Sequence, residues 1–221
     1  MEDNRTNKYK IKRKNLIKHL ISSGYLSKPE VIDAMLSVER HKFLPENYIS
    51  EAYSDRPLPV MKGQTISAPH IVAIMSELLD VKLNSKILEI GAGSGYQAAV
   101  LAEIAKTGEI YTIERIKNLA EFAERNLKKC RYENVFVIAG DGTLGYEEKA
   151  PYDRIIVTAG APGIPRALVE QLSDKGKMVI PAGRRFYQDL IMIEKNEGRI
   201  TKKNCGGCVF VPLIGKNGYP D

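Results

Sequence analysis

No stretch constrains the fold as much as Ile87-Leu88-Glu89-Ile90-Gly91-Ala92-Gly93-Ser94-Gly95-Tyr96, where a short apolar strand breaks into three alternating glycines and then into a helix. Glycine removes the Cβ that keeps a backbone away from a ligand, and the amides opening the next helix face the same point. The run reads as a nucleotide-cofactor turn. A phosphate-gripping Walker turn would need Gly-Lys-Ser/Thr, but Gly95 is followed by Tyr96 and Gln97, and the loop holds no lysine. Dinucleotide folds stay open, although their spacing is G-x-G-x-x-G and this turn runs G-x-G-x-G.

The surrounding pattern alternates. Apolar periodicity predicts a helix from Ser67 through Ile71, Ile74, Met75, Leu78 and Leu79 into the strand at Ile87. Then come helix 97–105, strand 109–114, helix 116–129, strands 134–139 and 153–157, helix 165–172 and strand 177–180. Such alternation means an α/β fold, a doubly wound, mostly parallel sheet with helices on both faces. The tail, 190–194, 199–203 and 208–213, reads as shorter, partly antiparallel strands. Residues 1–66 form an amino-terminal appendage to the 67–221 core. One helix there carries Leu16, Ile17, Leu20 and Ile21 on one face and stops at Gly24. A second begins after Ser27, with Pro29 in its first turn and Val31, Ile32, Met35, Leu36 and Val38 facing inward.

In a doubly wound sheet the ligand sits at the carboxyl ends of the strands, so polar residues there carry information. Glu89 is a carboxylate in an apolar strand. Buried and unpaired it would be expensive, so it is expected to meet a cation. S-adenosylmethionine carries an ammonium and a sulfonium and no phosphate, which suits a glycine turn lacking lysine. Glu114 ends the second strand and offers two oxygens to the ribose hydroxyls. Asp141, in Gly140-Asp141-Gly142, is placed to accept from the adenine amino group. The fourth strand ends at Thr158-Ala159-Gly160-Ala161-Pro162, which lacks the Asn/Asp-Pro-Pro-aromatic signature of methyltransferases acting on base amines.

Composition narrows the field further. The net charge is +6, concentrated in Lys8-Tyr9-Lys10-Ile11-Lys12-Arg13-Lys14, which also begins an amphipathic helix. A solvated helix face explains it better than a nucleic-acid arm. No apolar run approaches a membrane span, and Met1-Glu2-Asp3-Asn4-Arg5 lacks the apolar core of a secretory signal, so a cytoplasmic location is expected. Cys130, Cys205 and Cys208 are an odd set, which argues against a disulfide framework. A zinc site needs about four ligands, and His19, His41 and His70 lack a paired spacing, so no metal is expected. Cys205 and Cys208 read as two thiols in a glycine turn before a strand-like Val209-Phe210-Val211.

The chain resembles the protein-L-isoaspartate (D-aspartate) O-methyltransferases. The matching residues are Ala52-Tyr53-Ser54-Asp55-Arg56-Pro57-Leu58-Pro59, Gly63-Gln64-Thr65-Ile66-Ser67-Ala68-Pro69-His70, and the glycine turn continued by Tyr96-Gln97-Ala98-Ala99-Val100-Leu101-Ala102. The likeness continues through Gly140-Asp141-Gly142, Ala150-Pro151-Tyr152-Asp153, Pro162, Gln171-Leu172 and Val209-Phe210-Val211-Pro212-Leu213, covering roughly residues 38 to 214. The glycine turn is common to many methyltransferases, whereas the Gln64-to-His70 block is close to family-specific. Two departures stand out: Gly160 where alanine is usual, and the Cys205/Cys208 pair.

The resemblance implies a class I, Rossmann-like fold dependent on S-adenosyl-L-methionine, which leaves as S-adenosyl-L-homocysteine. It implies methyl transfer to the α-carboxylate of L-isoaspartyl, and also D-aspartyl, residues in damaged proteins. The ester then closes to a succinimide unaided, and hydrolysis returns part of it to aspartate. An α-carboxyl with a pKa near ~3.5 is already ionised at neutral pH, so no general base is required. Alignment is what remains. By resemblance Ser67 is catalytic, its hydroxyl fixing the attacking oxygen. A purely structural reading makes Ser67 the N-cap of the following helix, and the two roles are compatible. Thr65, Ile66 and Ala68 would line the substrate pocket and His70 would border the cofactor. Gly91, Gly93, Ser94, Gly95, Gly142 and Thr158 join Glu89, Glu114 and Asp141 in the cofactor site. Val211, Pro212 and Leu213 would offer main-chain groups to the peptide in strand fashion. The expected partners are isoaspartyl proteins and peptides, without nucleic acid or membrane, and the expected state is a monomer.

Overall fold

The computed structural model describes the backbone of Glu2–Asp221 and the side chains from Asn7 onward. The polar Met1-to-Arg5 stretch thus lies outside the residues described at side-chain level. The chain opens with α1 (Glu2–Ser22) and α2 (Pro29–Ser37), and Pro29 starts the second helix, where its missing N–H costs nothing. Leu16, Ile17 and Leu20 are buried, but Ile21 is 44% exposed. At 3.6 residues per turn it falls roughly 140° round from Leu16, off the edge of the apolar stripe. Two short 3₁₀ segments, Arg40–Phe43 and Glu46–Glu51, lead into a small antiparallel pair, β1 (Leu58–Pro59) with β2 (Thr65–Ile66).

The helix expected from Ser67 is α3 (Pro69–Leu79), with Ala68 as its N-cap and no side-chain cap bond. Ser67 is therefore not the capping residue. Pro69 at the first helical position leaves one fewer orphan amide to cap, and the Asp55 carboxylate accepts from the next, His70 N–H, at 2.9 Å.

The remaining elements alternate as the periodicity predicts: β3 (Lys86–Ile90), α4 (Tyr96–Ile104), β4 (Glu109–Glu114), α5 (Lys117–Lys129), β5 (Val135–Ala139), β6 (Tyr152–Val157), α6 (Arg166–Gln171), β7 (Leu172–Arg184), β8 (Tyr187–Asn196) and β9 (Arg199–Cys208). They build one sheet in the order β5-β4-β3-β6-β7-β8-β9. The pairs from β5 to β7 are parallel, and β8 and then β9 are added antiparallel beyond β7. The chain winds outward from β3 through β4 and β5, then crosses back to β6 on the other side. The crevice at that reversal lies at the carboxyl ends of β3 and β6.

β3 is apolar on both faces because both are covered. Ile87 packs with α1 to α4 in one cluster, while Leu88 and Ile90 pack with Tyr111, Ile113, Tyr152 and Leu168 in the other. The appendage shares the first cluster: Leu20, Met35, Phe43, Leu58 and Ile66 join Ile87, Ala98 and Leu101.

Two tail expectations are corrected. β7 runs past Ile180 to Arg184, because its ladder with β8 continues after its pairing with β6 ends at Val179; Pro181 is tolerated there, having no β6 partner to serve. The strand expected over 208–213 does not form. β9 ends at Cys208, and beyond it Pro212 makes an isolated parallel bridge to Gly160, with Gly160 N–H donating to Val211 O and Leu213 N–H to Gly160 O, both at 2.8 Å. Pro212 has no N–H with which to extend a ladder. The two cysteines accordingly lie at the end of β9 rather than in a turn ahead of another strand.

Candidate active site

A cleft opens at the switch point, floored by the glycine turn. Gly91, Gly93 and Gly95 hold φ of 99°, 54° and 87°, which L side chains rarely adopt. A Cβ at Gly91 would fall 2.5 Å from Thr158 Oγ1, whereas one at Gly93 would meet no protein atom within 4 Å. One glycine admits a neighbouring strand; the other keeps space clear for a ligand. The turn is pinned from several sides. Gly91 N–H and Ala92 N–H donate to Ile113 O at 2.8 and 3.1 Å, Thr158 Oγ1 donates to Gly91 O at 2.7 Å, and buried Asn126 on α5 donates to Ser94 O at 2.9 Å.

Glu114 ends β4 and lines the cleft, 7% exposed. One of its oxygens accepts the Gly93 N–H and the other the Ile116 N–H, each at 3.0 Å. Each carboxylate oxygen retains acceptor capacity, so a fixed, anionic pair of acceptors faces the cleft. That is what a vicinal diol such as ribose requires. Together with the open space beside Gly93 and the absence of lysine from the turn, it fits an adenosyl cofactor.

Glu89 is buried as expected, but it does not line the cleft and meets no cation. Strand alternation puts it on the same face as Ile87, opposite Thr112 in register. Thr112 Oγ1 donates to its Oε2, and Oε1 has no partner. Burial pushes this carboxyl up to about 8, against the Thr112 hydrogen bond and with help from the Glu114 charge. The acid is therefore largely protonated at neutral pH, with a Glu114 anion nearby.

Asp141 is also off the cleft wall. Its Oδ1 accepts from Thr143 N–H at 2.9 Å and Thr143 Oγ1 at 2.7 Å, and its Oδ2 from Lys216 N–H at 2.8 Å. Burial raises this carboxyl, yet those donors from Lys216 and Thr143 together hold it below its ordinary value. It fastens the carboxyl-terminal tail to the β5 end, while its neighbour Gly142 lines the cleft. A Cβ on Gly142 would meet Ile90 Cγ2 at 2.4 Å.

The opposite wall comes from two distant segments, Gln64 to Ser67 and Val211 to Ile214. Thr65, Ile66 and Ser67 are on it; Ala68 and His70 are not. Chain direction turns at Ala68 into α3, carrying His70 away to Asp55, whose Oδ1 lies 2.9 Å from its Nδ1; Tyr25 packs against its ring. A carboxylate only accepts, so Nδ1 is the donor. The Val211, Pro212 and Leu213 segment reaches the cleft, but Val211 O and Leu213 N–H are committed to Gly160, and Phe210 N–H to Gln188 Oε1 at 2.8 Å. Among the lining residues, Glu114, Arg115 and Tyr96 are the ionisable ones. Among the described residues, no group of three His, Cys, Asp or Glu side chains is placed to hold a metal.

Residues outside the expected set also matter. Ile116 and Leu119 line the cleft where α5 begins beyond Glu114, a position that chain direction alone would have flagged. Arg40 is 0% exposed and sits behind Ser67, donating from Nη2 to Ser67 O at 2.8 Å. Its only sequence signal is a place between Val38 and Phe43, both buried, and Lys42 shares that interval.

A glycine-floored cleft at the switch point, with an anionic acceptor pair at the end of the second parallel strand, defines a Rossmann-like methyltransferase fold. The family model for protein-L-isoaspartate(D-aspartate) O-methyltransferase matches residues 11–218, and the chain belongs to that family. It is 55% identical over 212 residues to the protein-L-isoaspartate O-methyltransferase of Methanopyrus kandleri, covering 95% of this chain and 94% of that one. The enzyme of Dictyoglomus turgidum is 53% identical over 214 residues, covering 97% and 96%. Among solved structures, a Plasmodium falciparum chain of the same description, in complex with S-adenosyl-L-homocysteine, superposes with a TM-score of 0.82 at 31% identity, covering 91% of this chain and 98% of that one. A further protein-L-isoaspartate O-methyltransferase gives 0.85 at 29% identity, covering 93% and 67%.

Proposed function

We propose that this chain transfers a methyl group from S-adenosyl-L-methionine to the α-carboxylate of L-isoaspartyl residues, and also D-aspartyl residues, in damaged proteins, starting their return to aspartate through a succinimide. The observation that carries the reading is one cleft in which the glycine turn and Glu114 face Thr65, Ile66 and Ser67, with no histidine, lysine or cysteine among the lining residues. A reaction needing a general base would be poorly served there. An acceptor ionised at neutral pH needs only to be held.

When bound, the cofactor supplies an electrophilic methyl on its sulfonium. Glu114 would accept from the ribose hydroxyls, and the open space at Gly93, beside Gly91, Ser94 and Gly142, leaves room for the adenosyl and amino-acid parts; Gly95 lies off the cleft, its missing Cβ making way for Leu127 and Ala123. Thr158 keeps the turn in shape through Gly91. Ser67 is the catalytic residue: it lines the cleft, its hydroxyl serves no helix cap, and its donation orients the substrate carboxylate without the tight grip of a charged donor. Thr65, Ile66, Val211, Pro212 and Leu213 form the peptide-facing wall. Glu89, Asp141, Ala68 and His70 support this site from behind rather than facing it.

The substrate wall at Thr65 and Ile66 closes residues 1–66, so that appendage supplies substrate contacts to the 67–221 core. We place the protein as a cytoplasmic monomer that does not use nucleic acid. In support, Cys130, Cys205 and Cys208 are all free thiols, as a reducing compartment favours. Two charges of the basic head are turned inward, Lys12 onto Ser50 O at 3.0 Å and Arg13 onto Tyr53 and Glu39. No described helix is long and apolar enough to cross a membrane. The test is incubation with methyl-labelled cofactor and either an isoaspartyl peptide or bulk RNA: label is expected in the peptide, and label in RNA alone would overturn the reading.

A further inference from the structure

Arg40 is a fully buried cation, and burying an arginine is costly unless its donors are used. Its Nε donates to Ala52 O at 2.9 Å and its Nη2 to Ser67 O at 2.8 Å, while its Nη1 is buried without a hydrogen-bond partner. The guanidinium lies over the Tyr96 ring, 4.9 Å from the centroid. Ser67 and Tyr96 both line the cleft. The cation is thus wedged between the appendage on one side and two separate pieces of cleft wall on the other. Three residues beyond Ser67, the Asp55 carboxylate holds both His70 N–H and His70 Nδ1 at 2.9 Å. Ser67 is therefore bracketed, gripped at its own carbonyl by Arg40 and again through His70 by Asp55. Both grips come from the segment between α2 and β1, and neither uses the serine hydroxyl.

We infer that Arg40 is a positioning residue for the methyl transfer, fixing the Ser67 peptide so that the serine hydroxyl points into the cleft; the inference rests on the catalytic role given to Ser67 above. Two carbonyls held at once from Nε and Nη2 use the fixed fork of a guanidinium, which an ammonium cannot reproduce. A catalytic hydroxyl displaced by about 1 Å can lose on the order of 100-fold in rate. Arg40 is not among the residues that line the cleft, so its replacement should act on turnover through Ser67 and leave the glycine turn and Glu114 in place.

The test is a double-mutant cycle of Arg40→Lys and Ser67→Ala on the full chain, reading kcat on an isoaspartyl peptide and the Kd of S-adenosyl-L-homocysteine by calorimetry. Arg40→Lys is expected to lower kcat roughly 10- to 100-fold, with the Kd within about twofold of wild type. In the Ser67→Ala background the same substitution should cost little more, because the hydroxyl it positions is gone. Wild-type kcat in Arg40→Lys, or fully additive losses in the double variant, would overturn the proposal. So would an Arg40→Lys protein that has lost cofactor binding or fold, since Arg40 would then serve general stability. Unchanged turnover in Ser67→Ala alone would instead remove the serine from the mechanism, a separate outcome read from the same cycle.

Discussion

Glu114 and Gly93, 21 positions apart in sequence, are joined by a hydrogen bond of 3.0 Å from the glycine amide to the carboxylate. The contact ties the end of β4 to the floor of the cleft, so the group expected to bind ribose also sets the shape of the turn below it. Glu114→Ala should therefore weaken cofactor binding twice over. Loss of a charge-assisted hydrogen bond of about 1.5–3 kcal/mol corresponds to roughly a 10- to 100-fold rise in Kd. Calorimetry with S-adenosyl-L-homocysteine checks this, and Glu114→Gln, which keeps one acceptor, should fall between.

Gly91→Ala should abolish cofactor binding and lower Tm. The new methyl would sit 2.5 Å from Thr158 Oγ1 at a backbone φ of 99°. Adding Thr158→Ala relieves the clash but leaves the backbone strain, so the double variant should recover only part of the loss. Thermal melts with and without S-adenosyl-L-homocysteine separate the two contributions.

Glu89 gives the apo protein a pH dependence of definite sign. Its carboxyl is raised from 4.5 to about 8 by burial, so the folded state binds more protons than the unfolded state between those values. Its contribution to stability is fully present below about pH 4.5 and is lost as pH rises through 8. Glu89→Gln, which cannot ionise, should melt at a higher temperature than wild type above pH 8, with the gap closing toward pH 5. Parallel Tm-versus-pH curves for the two proteins would contradict the assignment.

Gly160 is backed by a buried glutamine. Gln188, 0% exposed, accepts from Phe210 N–H at 2.8 Å and donates to Arg184 O at 2.6 Å, and a Cβ on Gly160 would come 2.8 Å from its Cδ. Gly160→Ala, the residue more usual in the family, should disturb Gln188 and with it the Phe210-to-Leu213 wall. The expected result is a higher KM for peptide with cofactor affinity unchanged, measured by steady-state kinetics beside calorimetry.

The doubly wound, mostly parallel sheet and the position of Glu114 at a strand end were legible because both follow from one-dimensional pattern: alternation gives a wound sheet, and an acid closes the second strand. Glu89 shows where pattern stops. Sequence shows a carboxylate in an apolar strand but not which face it takes, and alternation from Ile87 puts it behind the cleft, opposite Thr112. Asp141 lies at a strand end as expected, yet the tail at Lys216, 75 residues on, takes up its carboxylate. The grip of Arg40 on Ser67 spans 27 residues and uses a main-chain oxygen, so the identity of neither residue advertises it. Ser67 had two readings from sequence, and only the structure frees its hydroxyl from the helix start.

The most direct test of the proposed activity uses two matched peptides, one carrying L-isoaspartate and the other aspartate at the same position, each incubated with the purified chain and methyl-labelled S-adenosyl-L-methionine. Base-labile methyl ester should form on the isoaspartyl peptide and not on its aspartyl twin, and prolonged incubation should yield aspartyl product. Equal labelling of both peptides, or label that survives mild base, would contradict the account.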